Sequence, residues 1–536
     1  MTGSLVPMIV PPIILYAETH YRFPYFGSYL RKDEPEVIAD APLRVEPGRH
    51  LPVLLLVKDA HLFPCTLLRV TASLRTADST VSRRELFSGE LPCTGQFWWK
   101  VFHIDVTTVR GPLLCDVEFE IDVRGRRQIY RNDNHRTSSH APLRVFLADE
   151  PLPRLPGLQL GEPHAHSQFT NDQVEFGIPG EPARQLAFAM GLSYFCLTDH
   201  SYDLDDHIED YLRNHPDVPK WSLFQREVDT LNAGQHEVTV VRGEEVTCRN
   251  ARGRNIHLLL LGNRTFYPGS GDGAERWLRT WSEHDIPGIL RQLDPGVAAF
   301  AAHARERVSI LQRLLLGRGI WTEEDLHRAR LQGLQFANGK RDEAFDDGYR
   351  TWIKLLLQGH RVLSIAGDDA HGNFNRFRQI GIPFLRIREN SQQLFGLMRT
   401  GVFTDKTAEG EIVDALRRGV SILTDGPVLN LQAGSTVNPL SALGTTLAGR
   451  TQTVLFSGAT SREFGPFQSV RLLMGVTGEE KERELPVRDS SYPSRFEERI
   501  PIAVDRPCYL RAEAFTGQRN EADHFCYTNP VWLTPG

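Results

Sequence analysis

Pro182-Ala-Arg-Gln-Leu-Ala-Phe-Ala-Met-Gly-Leu-Ser-Tyr-Phe-Cys-Leu-Thr-Asp-His200 holds the plan of the chain in nineteen residues. Proline suits the first turn of a helix and glycine the position just past its end, so Pro182 opens a helix that Gly191 closes. An apolar strand, Tyr194–Leu197, follows at once. It stops at Thr198-Asp199-His200, where residues able to bind metals or move protons replace the apolar ones. Outward from this unit the alternation continues. Helices are expected at Glu275–His284, Ile310–Leu316 and Tyr349–Gln358. Strands are expected at Val238–Val241, Ile256–Leu261, Val297–Ala302, Leu334–Ala337 and Val362–Ala366. Repeated strand and helix over this length predict a parallel α/β barrel spanning residues 156–425.

Both flanks change character. Residues 1–155 alternate short apolar and polar stretches, as in Leu51–Val57, Leu67–Leu74 and Val117–Val123, broken by turns such as Glu46-Pro-Gly48. That is the pattern of an antiparallel sandwich. Glu150-Pro-Leu-Pro-Arg-Leu-Pro-Gly157 forms a proline-rich boundary. From residue 426 to 536 short strands return at Val428–Gln432, Thr453–Ser457, Val470–Met474, Tyr509–Phe515 and Asn529–Leu533, so a second β-sandwich-like domain is expected. At 536 residues the chain needs several cores.

Composition narrows the class. A net charge of −6 gives no support for a nucleic-acid partner. The seven cysteines are scattered, with no Cys-x-x-Cys pair, which argues against a disulfide framework or a thiolate zinc site and fits a reducing compartment. The apolar opening Ser4–Ala17 has internal prolines, no preceding basic residue and too little length to span a bilayer. An extended segment packed on a β domain, a cytoplasmic location, no membrane partner and a small-molecule substrate are expected; the sequence does not set the oligomeric state.

Six segments end apolar runs with metal-ligating residues: Gly161-Glu-Pro-His-Ala-His166, Phe195-Cys-Leu-Thr-Asp-His200, Gly243-Glu-Glu245, Asn255-Ile-His257, Ala301-Ala-His303 and Gly367-Asp-Asp-Ala-His371. Residues two apart in a strand share a face, so His164 with His166, and Asp369 with His371, can each reach one cation. Taken singly, His200, His257 and His303 read equally well as packed core histidines. Together the six predict a site.

In order and spacing these motifs resemble the polymerase-and-histidinol-phosphatase (PHP) superfamily of metal-dependent hydrolases. Phe336-Ala-Asn-Gly339, Trp352–Gly359, Ala415-Leu-Arg-Arg-Gly419, Thr424-Asp-Gly-Pro427 and Tyr527-Thr-Asn-Pro-Val531 extend the likeness to its carbaryl-hydrolase-like (CehA/McbA) branch. The resemblance implies a distorted seven-stranded (β/α)7 barrel with two or three divalent ions, zinc, manganese or iron. It places His164, His166, Glu245 and Asp369 on a first metal. Glu245 would bridge to a second on His257 and His303, and Asp172, His200 and His371 would hold a third. Where the commoner pattern has Ser-Asp-Gly, this chain has Thr170-Asn-Asp172. Metal coordination lowers the pKa of water from about 15.7 to near 7, so a bridging hydroxide would be the nucleophile. Asp199 is expected to support the ligands from behind or to handle protons, rather than to bind metal. Arg305, Arg376 and Arg378, close to presumed ligands, are expected to clamp an anion; pairing with nearby acids is the competing role. A phosphoesterase is the first expectation, with a carboxylic ester, carbamate or amide hydrolase as the alternative and a non-catalytic binding protein third.

Overall fold

The computed structural model describes residues 34–536 apart from 78–80, 135–139, 172–175, 209, 272–279, 377–378, 383–384, 389–392, 434–438, 488–491 and 518–522. The apolar opening Ser4–Ala17 and the expected site residues Asp172 and Arg378 lie outside the described residues. So does most of the expected helix Glu275–His284, whose described end is not helical; the helix nearby is Ile286–Gln292, capped by the Asp285 carboxylate on the Gly288 N–H.

Strands dominate the described chain. The N-terminal portion stacks a three-stranded sheet (Glu36–Asp40, Leu51–Lys58, Phe97–Ile104) on a larger one built around Cys65–Thr76 and Gly111–Val123. Leu51–Lys58 is buried along its whole length because both of its faces are covered. Its odd positions, Leu51, Val53, Leu55 and Val57, join the core between these two sheets, while Leu54 and Leu56 join the central core beyond.

The central portion corrects the expected parallel barrel. Its strands run in the order Leu363–Gly367, Gly333–Asn338, Ala298–Ala301, Asn255–Leu261, Thr239–Arg249, Tyr194–Leu197, Leu158–Ala165, Arg399–Phe403 and Ser421–Thr424, and their directions are mixed. Leu158–Ala165, Tyr194–Leu197 and Thr239–Arg249 are parallel. Asn255–Leu261 is antiparallel to both of its neighbours, and Arg399–Phe403 is antiparallel to Leu158–Ala165 and to Ser421–Thr424. The physical reason is connection length. Parallel neighbours need a crossover of a dozen or more residues, whereas only Asn250–Arg254 separates Arg249 from Asn255, with Gly253 at φ 68°. The expected (β/α)7 arrangement is therefore replaced by a curled, mixed half-barrel. Its sheet continues past Ser421–Thr424 into His524–Thr528, Cys508–Thr516 and Phe467–Val476.

The curl positions the site. The segment after Leu363–Gly367 swings back to the segment after Leu158–Ala165, where the His166 N–H donates to the Ala370 carbonyl at 2.9 Å. The ends of Leu158–Ala165 and Leu363–Gly367, far apart in the sheet order, thus face one another. Helices Gly180–Met190, Pro219–Leu231, Glu343–Leu357 and Glu409–Arg418 cover the outside. Arg242 is buried there, and its charge is met by Asp229 (2.6 Å) and Glu409 (2.8 Å). Among the described residues no helix is long and apolar enough to cross a membrane.

Candidate metal centre

Glu245 is the hub. Its carboxylate is wholly buried and lies within 2.7 Å of His257 Nδ1, 3.0 Å of His303 Nε2, 3.2 Å of His164 Nε2, 3.2 Å of His200 Nδ1 and 3.4 Å of His166 Nε2. Strand geometry explains the convergence. Thr247 is opposite His257 in the antiparallel pair, and Glu245, two residues away, shares the face on which His257 lies. His200, just past the end of Tyr194–Leu197, bridges to Glu245 within the longer strand beside it.

Asp369 completes the cluster from the far side, 3.1 Å from His166 Nε2 and 3.3 Å from His164 Nε2. Both Asp369 (φ 53°) and His303 (φ 29°) hold left-handed backbone conformations. These are uncommon for residues with a Cβ and gather at functional sites. His371 stacks on His166 with ring centroids 4.1 Å apart, and His200 lies 4.4 Å from His166 on the same assembly. Three sets of donor atoms are close enough to share a cation: His164, His166, Glu245 and Asp369; His166, His200 and His371; and His200, Glu245 and His257.

Hydrogen bonding tests whether the residues fit metals. His164 Nδ1 is 2.8 Å from Gln335 Oε1, an oxygen identified as such because the Gln335 amide donates to Asn338 Oδ1 at 3.0 Å. His164 Nδ1 therefore carries the proton, and in the neutral ring the lone pair of Nε2 points at two carboxylate oxygens. Lone pair against carboxylate is repulsive unless a proton or a cation lies between them. His200 Nδ1 is likewise buried without a hydrogen-bond partner, although Glu245 Oε2 is 3.2 Å away. A cation at these positions turns both repulsions into bonds, so the donor set fits a nitrogen-and-oxygen metal site.

Protons are the alternative to a cation at these atoms. Burial opposes charge on His166, but Asp369 and Glu245 overcome it and hold the imidazole up at about 10. Burial likewise opposes ionisation of Glu245 and Asp369, and the surrounding histidines outweigh it, leaving both carboxyls well below the usual range. His200 is pushed far down by burial and by the neighbouring rings. The centre thus holds ionised acids among imidazoles that compete for positive charge.

The remaining expected residues have other partners. The Asp199 carboxylate accepts from the Ser167 N–H (2.7 Å), the Ser167 hydroxyl (2.7 Å) and the Thr170 N–H (2.9 Å), so it fastens the turn behind His166. Arg305 reaches Asp347 at 2.6 Å and the Trp321 carbonyl at 3.2 Å. Arg376 is buried against the N-terminal sheets, paired with Asp133 at 3.0 Å and the Asn132 carbonyl at 2.6 Å. Neither guanidinium is aimed at the cluster. Among the described residues Arg318 does touch it, its Nη2 donating to His257 Nε2 at 3.0 Å. That contact fixes the His257 proton on Nδ1, facing Glu245, so His257 is satisfied as an ordinary neutral ring. A cavity of about 50 Å³ lined by His257, His303, Arg318 and Trp321 opens beside it.

Sequence reading missed Arg318, Gln335, and Glu162 with Asp368. Burial and Asp368 push the Glu162 carboxyl well above its usual range, and Asp368 is raised to about 6 by burial. Glu162 Oε1 accepts from the N–H groups of both His164 and Asp368, tying the two ligand-bearing strand ends together. A signal was present: Gln335 is the lone polar residue in the apolar run Leu334–Ala337.

Comparison with known proteins corrects the expected family. No protein-family model matches the chain, and no curated protein matches it. Glycoside hydrolases are among the solved structures similar to it, and none of these comparisons supports the PHP superfamily or its CehA/McbA branch. One is a β-glucuronidase from Bacteroides uniformis, at 9% identity and a TM-score of 0.18, covering 93% of this chain and 61% of that one. Another is a β-D-mannosidase from Dictyoglomus thermophilum, at 7% identity and a TM-score of 0.23, covering 93% of this chain and 66% of that one. The chain thus spans about three-fifths of the glucuronidase's length. Likenesses this distant assign no activity. With the family goes its ester, carbamate and amide alternative, and the phosphoesterase expectation loses its second support as well, because Arg305 and Arg376 pair with Asp347 and Asp133.

Proposed function

We propose that the Glu245 cluster is a polynuclear centre for divalent cations, of the zinc, manganese or iron type, and that the chain is an enzyme working through it. The observation that carries the reading is the convergence of five imidazoles on one buried carboxylate, with Nε2 of His164 and Nδ1 of His200 each 3.2 Å from its oxygen. His164, His166, Glu245 and Asp369 would hold one ion. His166, His200 and His371 would offer a second position, and His200, Glu245 and His257 a third. Such a centre supplies Lewis acidity, which makes water a usable nucleophile at neutral pH.

The chain's own residues orient and limit that chemistry. Gln335 fixes the His164 tautomer, as the outer partners of metal-binding histidines commonly do. Asp199 holds Ser167 and Thr170, and the Thr170 hydroxyl lies 3.3 Å from His166 Nδ1. Arg318 keeps positive charge at the small opening beside His257 and His303.

The test is elemental analysis of protein purified without chelator. Two or more equivalents of transition metal per chain are expected, removable by chelation and restored on adding back the ion. Absence of bound metal, with no uptake after chelation, refutes the reading.

A further inference from the structure

Cys65 and Cys93 stand directly opposite each other in the antiparallel pair that Cys65–Thr76 makes with Val81–Cys93. Directly opposite residues of such a pair have Cα atoms about 4.5 or 5.5 Å apart. A disulfide spans about 4.4–6.8 Å between its Cα atoms. Opposite residues also share a face of the sheet, and both cysteines join the core between the two N-terminal sheets. Their thiols are hydrogen-bonded to each other. Val81–Cys93 is the outermost strand of its sheet, so a bond here fastens that edge at the open end of its hairpin.

The pair differs in reactivity from the other cysteines. The hydrogen bond from Cys93 holds the Cys65 thiol below its ordinary range, and the same bond, with burial, pushes Cys93 up. Burial pushes the thiols of Cys115, Cys196, Cys508 and Cys526 up. The thiolate is the attacking form, which favours Cys65. Cys65 is 6% exposed and lies beneath a thin cover. Exposed Pro64 and Thr94 flank the pair, and the turn carrying His61 donates its N–H to the Gly95 carbonyl at 3.0 Å.

We propose that Cys65 and Cys93 form a reversible redox pair, closed by a disulfide of low molecular weight and reopened by a small thiol. Cys65 Sγ attacks one sulfur of the reagent as thiolate. The reagent's S–S bond breaks, and the departing thiolate takes up the proton that Cys65 released. Cys93 then gives up its proton and attacks Cys65 Sγ, expelling the second reagent thiolate. Two protein thiols are thereby oxidised to one disulfide, and one small disulfide is reduced to two thiols. Neither cysteine belongs to the Glu245 cluster, so the pair stands apart from the metal reading.

The test exposes the folded full chain to bis(2-hydroxyethyl) disulfide, quenches with acid and counts thiols in denaturant. The count should fall from seven to five, seven less the two that join. The intact mass should drop by about 2 Da, the two hydrogens lost. Peptide mapping without reductant should show one linkage, Cys65 to Cys93, and dithiothreitol should restore all seven thiols. Cys93→Ser should stop at a mixed disulfide on Cys65, and Cys65→Ser should leave Cys93 unmodified over the same period. The unaltered chain carries the primary readout, so a variant that fails to fold does not remove the test. Seven thiols after prolonged exposure, or a linkage between other cysteines, would overturn the proposal. So would closure that occurs only once urea has unfolded the chain.

Discussion

Replacing Glu245 by glutamine separates a metal centre from a knot of ionised histidines. The substitution keeps volume and removes the charge that both carboxylate-containing donor sets share. A ligand at a hundredfold excess over its dissociation constant stabilises the folded chain by about 2.7 kcal/mol. Two ions give about 5.4 kcal/mol. The unfolding entropy for 536 residues, at about 2.1 cal/mol/K per residue, is about 1.1 kcal/mol/K. Adding zinc or manganese to chelator-stripped protein should therefore raise the melting temperature by about 2 to 5 °C in a calorimetric scan. In Glu245→Gln that rise should shrink below about 1 °C. A metal-free ionic knot behaves differently. Breaking a buried ion pair costs about 3–5 kcal/mol whether or not a cation is added, so the variant would melt lower under both conditions. A rise as large in Glu245→Gln as in the unaltered chain, or none in either, refutes the metal argument.

Two further outcomes follow from other parts of the molecule. Burial pushes the Asp40 carboxyl up from 3.8 to about 7, against the N–H groups of Phe374 and Ala41 and the charge of Arg376. Between those values the folded chain holds a proton that the unfolded chain has released, so stability falls as pH rises through the window, by up to about 4 kcal/mol. Urea titrations at a series of pH values should show a flatter slope in Asp40→Asn; an unchanged slope would assign the dependence to other groups. Gly177 has no room for a side chain, because a Cβ there would land on the backbone carbonyls of His166 and Ser167. Gly177→Ala should destabilise the chain by about 1–3 kcal/mol and weaken the metal-induced rise in melting temperature. Gly410→Ala, in the helix Glu409–Arg418 with nothing within 4 Å, should stabilise it slightly. Equal effects at the two positions would contradict the packing argument.

The fold was legible where a local rule fixes it and not where a partner does. Gly180–Met190 ends at Gly191, in the left-handed conformation that the Pro-to-Gly spacing requires. The strand positions follow from their apolar runs. Their directions do not, because a buried run reads alike parallel or antiparallel. Asn250–Arg254 held the missing information: five residues between Arg249 and Asn255 leave room for a hairpin and none for a covering helix. Continuation of the sheet from Ser421–Thr424 to His524–Thr528 is a pairing across about a hundred residues, and no local pattern encodes it.

The same distinction governs the site. Residue type marked His164, His166, Glu245 and Asp369, because a ligand that ends an apolar run is conspicuous in sequence. Residue type also marked Arg305 and Arg376, which pair with Asp347 and Asp133 instead. Arginine is long enough to choose its partner from any direction, so closeness in sequence says little about where its charge lies. Arg318 makes the converse case. It follows a short helix, far in sequence from any expected ligand, and reaches His257 only because the Arg318 backbone bridges to Asn255 at the start of the ligand-bearing strand. Histidine and carboxylate positions in strands are set by a two-residue period and by the curl of the sheet. Long cations are set by tertiary pairing, and in this chain that difference separates the expected residues that converge on Glu245 from those that pair elsewhere.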